Sequence, residues 1–334
     1  MNNYIKYISM RAGNFSIALF IVMLCVSNST MAQGDGARFY WKTLMGMNAI
    51  PVIGNSMGGN ANPMDPSNTV FPGSDFTATM SMAGYAKMLP LFKRSAMVSI
   101  IAPMGRISGD VSFDGLDFSA TSRGFGDPML QFSINVIGPK AIMNLPDMLR
   151  YKPGFSVDIV GSLAFPLGQY DNTIPINIGQ NRWYGRIGMP VVWQIGPWVP
   201  GKRTTIELLP AIWMLGDNND FVGKKMETKP MYQLEAHITR DFMERIWGSV
   251  DVISYSGGKA TIDGTEGEAL SNLGMGGTLG YQINENMQMY VSYNTTVNDK
   301  AADDLKMDGF RVTLIYGWHK LLEGMRRLSN SEGH

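Results

Sequence analysis

The feature that most constrains the fold of this chain is a two-residue alternation of apolar and polar side chains. Near the C-terminus, Phe310, Val312 and Leu314 share one face, while Arg311 and Thr313 share the other. The alternation recurs in segments of roughly ten residues, which Gly-, Asp-, Asn- and Pro-rich breaks separate. Such segments are typical of a transmembrane β-barrel, whose strands point apolar residues at lipid and polar residues at the lumen. A soluble β-sandwich would show the same alternation around a core.

The pattern predicts an all-β fold of about twelve antiparallel strands in up-and-down order. An even number suits a bacterial single-chain barrel whose two termini lie on the same side of the membrane. The length of 334 residues suits one large domain. The predicted strands are 37–48, 76–88, 95–105, 128–137, 154–165, 183–195, 203–215, 230–241, 245–256, 270–282, 286–297 and 308–318.

The connections between these segments favour the membrane barrel over the sandwich, because long loops at one end and short turns at the other mark transmembrane barrels. After residue 33 there is no apolar run of about 18 residues, so a chain that spans a membrane has to do so as a closed barrel. The long connections are 49–75, 106–127, 166–182, 216–229, 257–269 and 298–307, against turns such as 242–244 and 283–285. Aromatic residues near strand ends are predicted to form interfacial girdles: Phe39, Trp41, Trp183, Trp193, Trp213, Trp247, Tyr281, Tyr316 and Trp318.

The N-terminal 32 residues are typical of a cleaved secretory signal peptide. Lys6 and Arg11 supply the positive n-region, and residues 17–26 form a continuous apolar run. That run is shorter than the roughly 20 residues of a spanning helix. Small and polar residues then lead to Ala32, so cleavage there would leave Gln33 as the first mature residue.

The single cysteine of the chain, Cys25, lies inside this predicted signal. A mature chain without cysteine excludes a disulfide framework and a thiolate metal site, and it suits a protein that crosses an oxidising periplasm. A lipoprotein is the alternative, although the bulky Leu24 stands where a small residue normally precedes a lipidated cysteine. We therefore predict a signal peptide (1–32), a barrel (33–318) and a C-terminal periplasmic extension (319–334).

One connection at the short-turn end, residues 138–153, is longer than its neighbours. It carries a periodic apolar patch of Ile142, Leu145, Met148 and Leu149. A short helix at the mouth of the barrel and a packed loop explain this spacing equally well.

Several loop motifs now point to a known family. The motifs are Gly124–Pro128 (GFGDP), Pro166–Asp171 (PLGQYD), Ile176–Gly179, Asn181–Trp183, Asp217-Asn218 with Asp220-Phe221, Tyr255 with Gly257-Gly258, and Asp263-Gly264. Their order and spacing resemble the MetA-pathway of phenol degradation family of outer-membrane transporters, over nearly the whole mature chain. The resemblance implies a barrel associated with uptake of aromatic or other hydrophobic compounds, and it supplies no binding residues. Barrels of this kind often end at the last aromatic residue, here Trp318, whereas this chain continues to His334.

Charged residues on the polar faces of the predicted strands are the candidates for lining the lumen. They are Lys42, Asp158, Arg186, Glu207, Glu235, His237, Asp251 and Arg311. In the hairpin of 230–241 and 245–256, His237 should lie opposite or diagonal to Ser249 and Asp251. This trio suggests either a hydrolase triad or, in the simpler interpretation, a salt-bridged network that biases which solutes pass.

The charge and the motifs of the chain limit which classes of partner it is expected to bind. Formal net charge is zero, so the basic patch that a nucleic-acid partner requires is not indicated. No cofactor motif is present, since the glycine-rich stretch 274–280 lacks the strand-turn-helix context of a dinucleotide loop. The expected partners are outer-membrane lipid, small-molecule cargo and, during biogenesis, the barrel-assembly machinery.

The leading prediction is a channel for small, apolar molecules in the outer membrane of a Gram-negative bacterium, and not an enzyme. A barrel hydrolase using His237 and a structural barrel without transport are the alternatives.

Overall fold

The structure, a computed structural model, describes residues 34–113, 115–152, 154–298, 301, 304–320 and 322–324. The predicted signal peptide, 1–32, lies outside the described residues. So do residue 321 and residues 325–334 of the predicted periplasmic extension, 319–334.

Twelve wall strands form one closed antiparallel barrel, since the first strand pairs with the last and every strand between them has a partner on each side. The wall consists of β1 (Asn48–Gly59), β2 (Asp75–Leu91), β3 (Arg94–Phe113), β5 (Met129–Ile137), β6 (Phe155–Ala164), β7 (Tyr184–Gly188) continued by β8 (Val191–Ile195), β9 (Thr204–Leu215), β12 (Met231–Asp241), β13 (Ile246–Gly257), β16 (Leu270–Gln282), β17 (Met287–Thr296) and β18 (Met307–Trp318). Outside the wall, β4 (Leu116–Phe125) extends β3, and β10 (Asn218–Phe221), β11 (Lys224–Thr228), β14 (Ala260–Ile262) and β15 (Thr265–Glu266) form a small second sheet.

The barrel has a loop end and a turn end, as the connection lengths predicted. The loop end carries the connections after β1, β6, β9, β13 and β17 together with the β3–β4 hairpin; the turn end carries the start of β1 and the end of β18. Residues 138–153, at the turn end, contain one short helix, α1 (Leu145–Leu149), which Asn144 caps. The helix alternative for this segment is therefore confirmed. No helix in the described parts of the chain is long and apolar enough to cross a membrane.

The predicted first strand, 37–48, is wrong. The wall begins instead with β1, within residues that the sequence pattern assigned to a loop. Pro51 explains the error, because a proline inside a run argues against a strand that has neighbours on both sides. The structure accommodates Pro51 at the point where the β1–β2 pairing passes from Ala49↔Ala86 to Val52↔Ala83. The other eleven predicted strands each overlap a wall strand.

The wall is apolar outside and polar inside across its middle. On β12, Leu234 and Ile238 are exposed, whereas Gln233, Glu235 and His237 are buried in the lumen. This is the arrangement of a lipid-facing barrel. Among the predicted girdle residues, Trp183, Trp193, Tyr281 and Tyr316 are exposed on the outside of the wall. Trp41 and Trp247 are not girdle residues, because both contact Arg38 inside the barrel.

The pattern inverts at the loop end. On β2, Phe76, Ala78 and Met80 are buried while Thr77 and Thr79 are exposed. The 20 residues of β3 are about twice the length that crosses a membrane, so the strands project beyond the lipid. We call the loop segments 60–74, 165–183 and 216–230 the cap. Their apolar side chains and those of the projecting strands share one hydrophobic core, which includes Phe71, Ile176, Ile178, Phe221 and Met226.

The segment that was expected to be the first strand lies inside the barrel. We call residues 34–47 the plug. Gly34 lies beside Glu235, well inside the wall, and its carbonyl accepts a hydrogen bond from Arg311 Nη1. The chain then runs to the turn end. There Leu44 forms a β-bridge with Ile142, and the Gly46 amide donates to the carbonyl of Met88.

Candidate functional site

Two glutamates of the wall hold the backbone of the plug. Glu235 accepts hydrogen bonds from the amides of Asp35 (3.2 Å) and Gly36 (2.9 Å). Glu207 accepts from the amide of Arg38 (2.8 Å) and from the indole N–H of Trp41 (2.9 Å). These bonds satisfy N–H groups that a chain without regular structure would otherwise leave unpaired in the lumen.

Three ion pairs join plug and wall, and in two of them one cationic nitrogen contacts both oxygens of a carboxylate. Arg186 Nη2 contacts both carboxylate oxygens of Asp35, at 2.9 and 2.7 Å. Lys42 Nζ contacts both oxygens of Asp158, at 2.6 and 2.5 Å, and Asn135 donates to the same carboxylate at 2.7 Å. The side chains of Lys42 and Asp158 are only 5% and 7% exposed, so solvent screens this pair little.

Arg38 makes the densest set of contacts in the plug. Its Nη1 donates to Asp241 Oδ1 (2.7 Å) and its Nε donates to Thr239 Oγ1 (3.1 Å). The guanidinium carbon lies 4.2 Å from the ring centroid of Trp247 and 4.3 Å from that of Trp41, so the cation contacts two aromatic rings.

Seven of the eight predicted lumen residues lie on wall strands, and five of these contact the plug: Asp158, Arg186, Glu207, Glu235 and Arg311. Lys42 also lies in the lumen, but its assignment to a strand is wrong, because it belongs to the plug. The lumen network therefore joins wall to plug more than wall to wall. That these residues act in transport stays a prediction.

His237 and Asp251, the remaining two, do not contact the plug directly. They are linked to it through Glu235. The two ring nitrogens of His237 contact Glu235 Oε1 (2.8 Å) and Asp251 Oδ1 (2.7 Å). The hydroxyl of Ser249 donates to Asp251 Oδ1 at 2.7 Å. A triad needs the serine on one imidazole nitrogen and the acid on the other. Here two acids flank the ring and Ser249 binds an acid, so this arrangement is not a triad.

The loop motifs that carry the family resemblance meet in the cap. Asp127, of the GFGDP motif, accepts hydrogen bonds from the amides of Gly168 (2.8 Å) and Gln180 (2.9 Å). Burial raises the pKa of this carboxyl, and the hydrogen bonds that backbone N–H groups donate to it oppose the rise. A Cβ on Gly168 would come within 2.7 Å of the Cα of Gly179, so the two loops pack backbone to backbone. The motifs thus encode a junction of loops.

A buried ion pair joins the same loops. Arg182, of the Asn181–Trp183 motif, donates from Nη2 to both oxygens of Asp65 at 2.7 and 2.9 Å, and from Nη1 to Thr228 at 2.8 Å. Beside it lies a cavity of about 20 Å³ with Tyr170 and Phe71 in its lining. A second cavity, of about 10 Å³, separates the plug from the wall at Glu207 and His237. Each holds little more than one water molecule, so plug and cap fill the space around them closely.

Among the described residues, no group of three or more His, Cys, Asp or Glu side chains is placed to hold a metal ion.

The sequence pattern missed several residues of this site: Asp35, Arg38, Trp41, Asp241, Tyr40, whose hydroxyl donates to Asp35, and Arg203, whose Nε donates to Asp241 at 2.7 Å. Those of the plug were missed because its run of aromatic residues, 39–41, resembles a strand. A signal was nevertheless present in Gly34, Gly36 and Gly46, which adopt positive φ and bracket the segment. Asp241 and Arg203 stand at strand ends, where charged residues are ordinary.

The comparisons with known proteins agree with this architecture. A family model described as "Putative MetA-pathway of phenol degradation" matches residues 54–314. An outer membrane channel from Pseudomonas putida F1 is similar in structure, with a TM-score of 0.61 at 17% identity over 85% of this chain and 99% of that chain. This likeness supports the barrel fold. The translocator domain of the autotransporter NalP from Neisseria meningitidis (TM-score 0.45, 10% identity, 83% of this chain and 89% of that chain) and a KdgM porin (0.42, 8%, 80% and 99%) are too distant to add to it. No curated protein matches the chain.

Proposed function

Since the chain belongs to the family of the MetA-pathway of phenol degradation, we propose that it is an outer-membrane channel through which small, hydrophobic or aromatic molecules diffuse. In this structure the channel is closed. Its export rests on the signal peptide that the sequence predicts, and its loop end faces the cell exterior, as in other barrels with long external loops.

One observation carries the proposal: what fills the lumen is not part of the wall. The plug is attached through side chains, chiefly Glu235, Glu207, Asp158 and Arg186, and through bonds at its turn-end base. The wall closes through β1–β18 and β9–β12 pairing without it. Withdrawal of the plug therefore leaves an intact barrel with a water-filled lumen. A purely structural barrel would have no need of a detachable filling.

The cap supports an apolar cargo. Its core joins Met57, Met80, Phe71, Phe221 and Met226 directly above the polar lumen. Methionine side chains adapt to irregular apolar partners, and aromatic rings offer flat apolar faces. These side chains are buried in the closed structure, so a small aromatic solute would contact them where the cap loops separate, before it reaches the plug.

Solute flux into liposomes tests this function. We expect purified protein to admit aromatic acids faster than sugars of similar mass, and the rate to rise when residues 35–45 are deleted. No flux of either solute through the deletion variant would contradict the channel, and equal rates for both would contradict the apolar preference. Heat-modifiable mobility on a gel after outer-membrane fractionation checks folding and location.

The hydrolase alternative remains testable through the same protein. The geometry at His237 does not support it, because both ring nitrogens contact carboxylates. We expect no esterase activity in the parent protein or in His237→Ala. Activity that His237→Ala abolishes would revive the alternative.

A further inference from the structure

We propose that the wall pocket which holds the guanidinium of Arg38 is a binding site for free organic cations of the guanidinium class, and that such a cation competes with Arg38 and releases the plug. We define the Arg38 pocket by Glu207, Thr239, Asp241 and Trp247. The proposal rests on the proposed function only in that the plug closes a channel.

The Arg38 pocket is a complete cation site built from the wall. Asp241 supplies a carboxylate oxygen, Thr239 supplies a hydroxyl oxygen, and Trp247 supplies an aromatic face that is 6% exposed. Tyr290 packs edge-on against Trp247 with ring centroids 5.2 Å apart, which fixes the ring. When the plug leaves the lumen, Arg38 and Trp41 leave with it. The four residues that define the Arg38 pocket remain, because all four belong to the wall.

The charge balance of the wall calls for a cation at this position. Asp241 keeps one wall partner, Arg203, whose Nε lies 2.7 Å from Asp241 Oδ2. Glu207 then faces the same space with Thr205 as its wall donor. Two carboxylates and one guanidinium leave one excess negative charge, which Arg38 neutralises in the closed state. The aromatic face favours a weakly hydrated organic cation over a strongly hydrated metal ion.

Arg38 binds in the pocket at an energetic cost, so a free cation that does not bear this cost can compete with it. Its backbone lies in the left-handed region, with φ of 65°, where residues other than glycine are strained. Its Nη2 is buried with no hydrogen-bond partner among the residues that the structure describes. A free guanidinium has neither the strained backbone nor a fixed direction of approach, so it can use the same pocket without these costs.

Planar-bilayer current provides the test, with methylguanidinium as the probe and sodium chloride of equal ionic strength as the control. In the native protein, millimolar methylguanidinium competes with Arg38 and is expected to raise the current. Arg38→Ala alone is expected to raise the current roughly tenfold or more, because a desolvated cation–π contact and a charged hydrogen bond are lost. In Arg38→Ala no plug side chain enters the pocket, so bound methylguanidinium and the plug can occupy the barrel together. The cation then neutralises the excess negative charge beside the plug, and it is expected to lower the current again.

These opposite responses are the signature of the site. Lys42→Ala, which weakens the plug elsewhere, is the matched control, and methylguanidinium should not lower its current. Arg38→Ala/Asp241→Asn removes the pocket, so the lowering should disappear there. Responses of one sign in native protein and Arg38→Ala, or a lowering that survives Asp241→Asn, would overturn the proposal.

A binding measurement separates this site from the channel itself. Titration of folded Arg38→Ala with methylguanidinium should give a saturable change in tryptophan fluorescence that Asp241→Asn abolishes. If that change appears while no variant conducts, the site stands and the channel falls. If the variants conduct but no saturable change appears, the channel stands and the site falls.

Discussion

The ion pair between Lys42 and Asp158 makes the stability of the closed state measurable. Lys42→Met keeps most of the length and apolar stem of the side chain and removes its charge. With the plug in place, Asp158 would then be buried with Asn135 as its one remaining side-chain donor among the described residues. With the plug withdrawn, water solvates Asp158 in either protein. The substitution therefore destabilises the closed state selectively.

The size of the effect follows from burial. Both side chains are less than a tenth exposed, and Nζ lies 2.6 and 2.5 Å from the two carboxylate oxygens. Removal of one partner from such a buried pair costs roughly 3–5 kcal/mol. Each 1.4 kcal/mol is a factor of ten, so the closed-to-open equilibrium should shift by roughly 10²- to 10³-fold, with Asn135 keeping the effect below its upper limit.

Single-channel recording of open probability measures this shift. Lys225→Met is the matched control, because Lys225 also contacts two carboxylates, Asp217 (2.8 Å) and Glu227 (2.6 Å), but is 47% exposed on β11, outside the wall. Exposed pairs contribute about 0–1 kcal/mol, so its open probability should stay near the native value. Lys42→Met/Asp158→Asn, which has no buried charge left unpaired, should return most of the way to the closed state.

A smaller change in open probability for Lys42→Met than for Lys225→Met would show that the buried Lys42–Asp158 pair does not stabilise the closed state. A double variant that is as open as Lys42→Met would show that the burial of an unpaired Asp158 is not the cause of the opening.

The cap and the N-terminus yield three further predictions. Asp127→Ala should expose the loops to protease and lower thermal stability by about 1–3 kcal/mol for each backbone N–H left unpaired, whereas Asp127→Asn, which keeps an acceptor, should have a smaller effect; equal effects would contradict the acceptor role. Arg182→Lys should also increase proteolysis of the loops, since an ammonium cannot reach Asp65 and Thr228 together; native resistance would show that this pair is dispensable. Mass spectrometry of the membrane-extracted protein should give Gln33 as its first residue, and an intact residue 1 would refute the predicted signal peptide.

The barrel wall was largely predictable, because lipid imposes a two-residue period that local sequence reveals. Strand β16 has the predicted limits, Leu270–Gln282, and β6 and β13 differ from prediction by one residue at each end. The exception is instructive. The plug resembles a strand because Phe39, Tyr40 and Trp41 form a run of aromatic residues, which are enriched in strands. The true first strand, β1, contains Pro51, which argues against a strand. Periodicity reports which residues alternate, and it does not report whether a neighbouring strand is present to pair with them.

The candidate site was predictable in its residues and not in its partners. Alternation on β12 correctly places Glu235 and His237 on the inner face, and the hairpin register correctly sets His237 opposite Asp251. Their role depends on Gly36 and Asp35, which approach from about 200 positions away in the chain. Contacts of that range depend on how a segment without regular structure folds back, which no local rule specifies. The same limit applies to Asp127. Its donors, the amides of Gly168 and Gln180, lie in the cap segment 165–183, about 40 to 50 positions further along the chain.

We propose that this barrel is a channel closed by the plug. The most direct measurement is the conductance of a variant that lacks residues 35–45, compared in planar bilayers with the native protein after heat-modifiable mobility has shown both to be folded. We expect a steady conductance in the deletion variant that greatly exceeds the current through the largely closed native protein. A folded deletion variant with native conductance would contradict it.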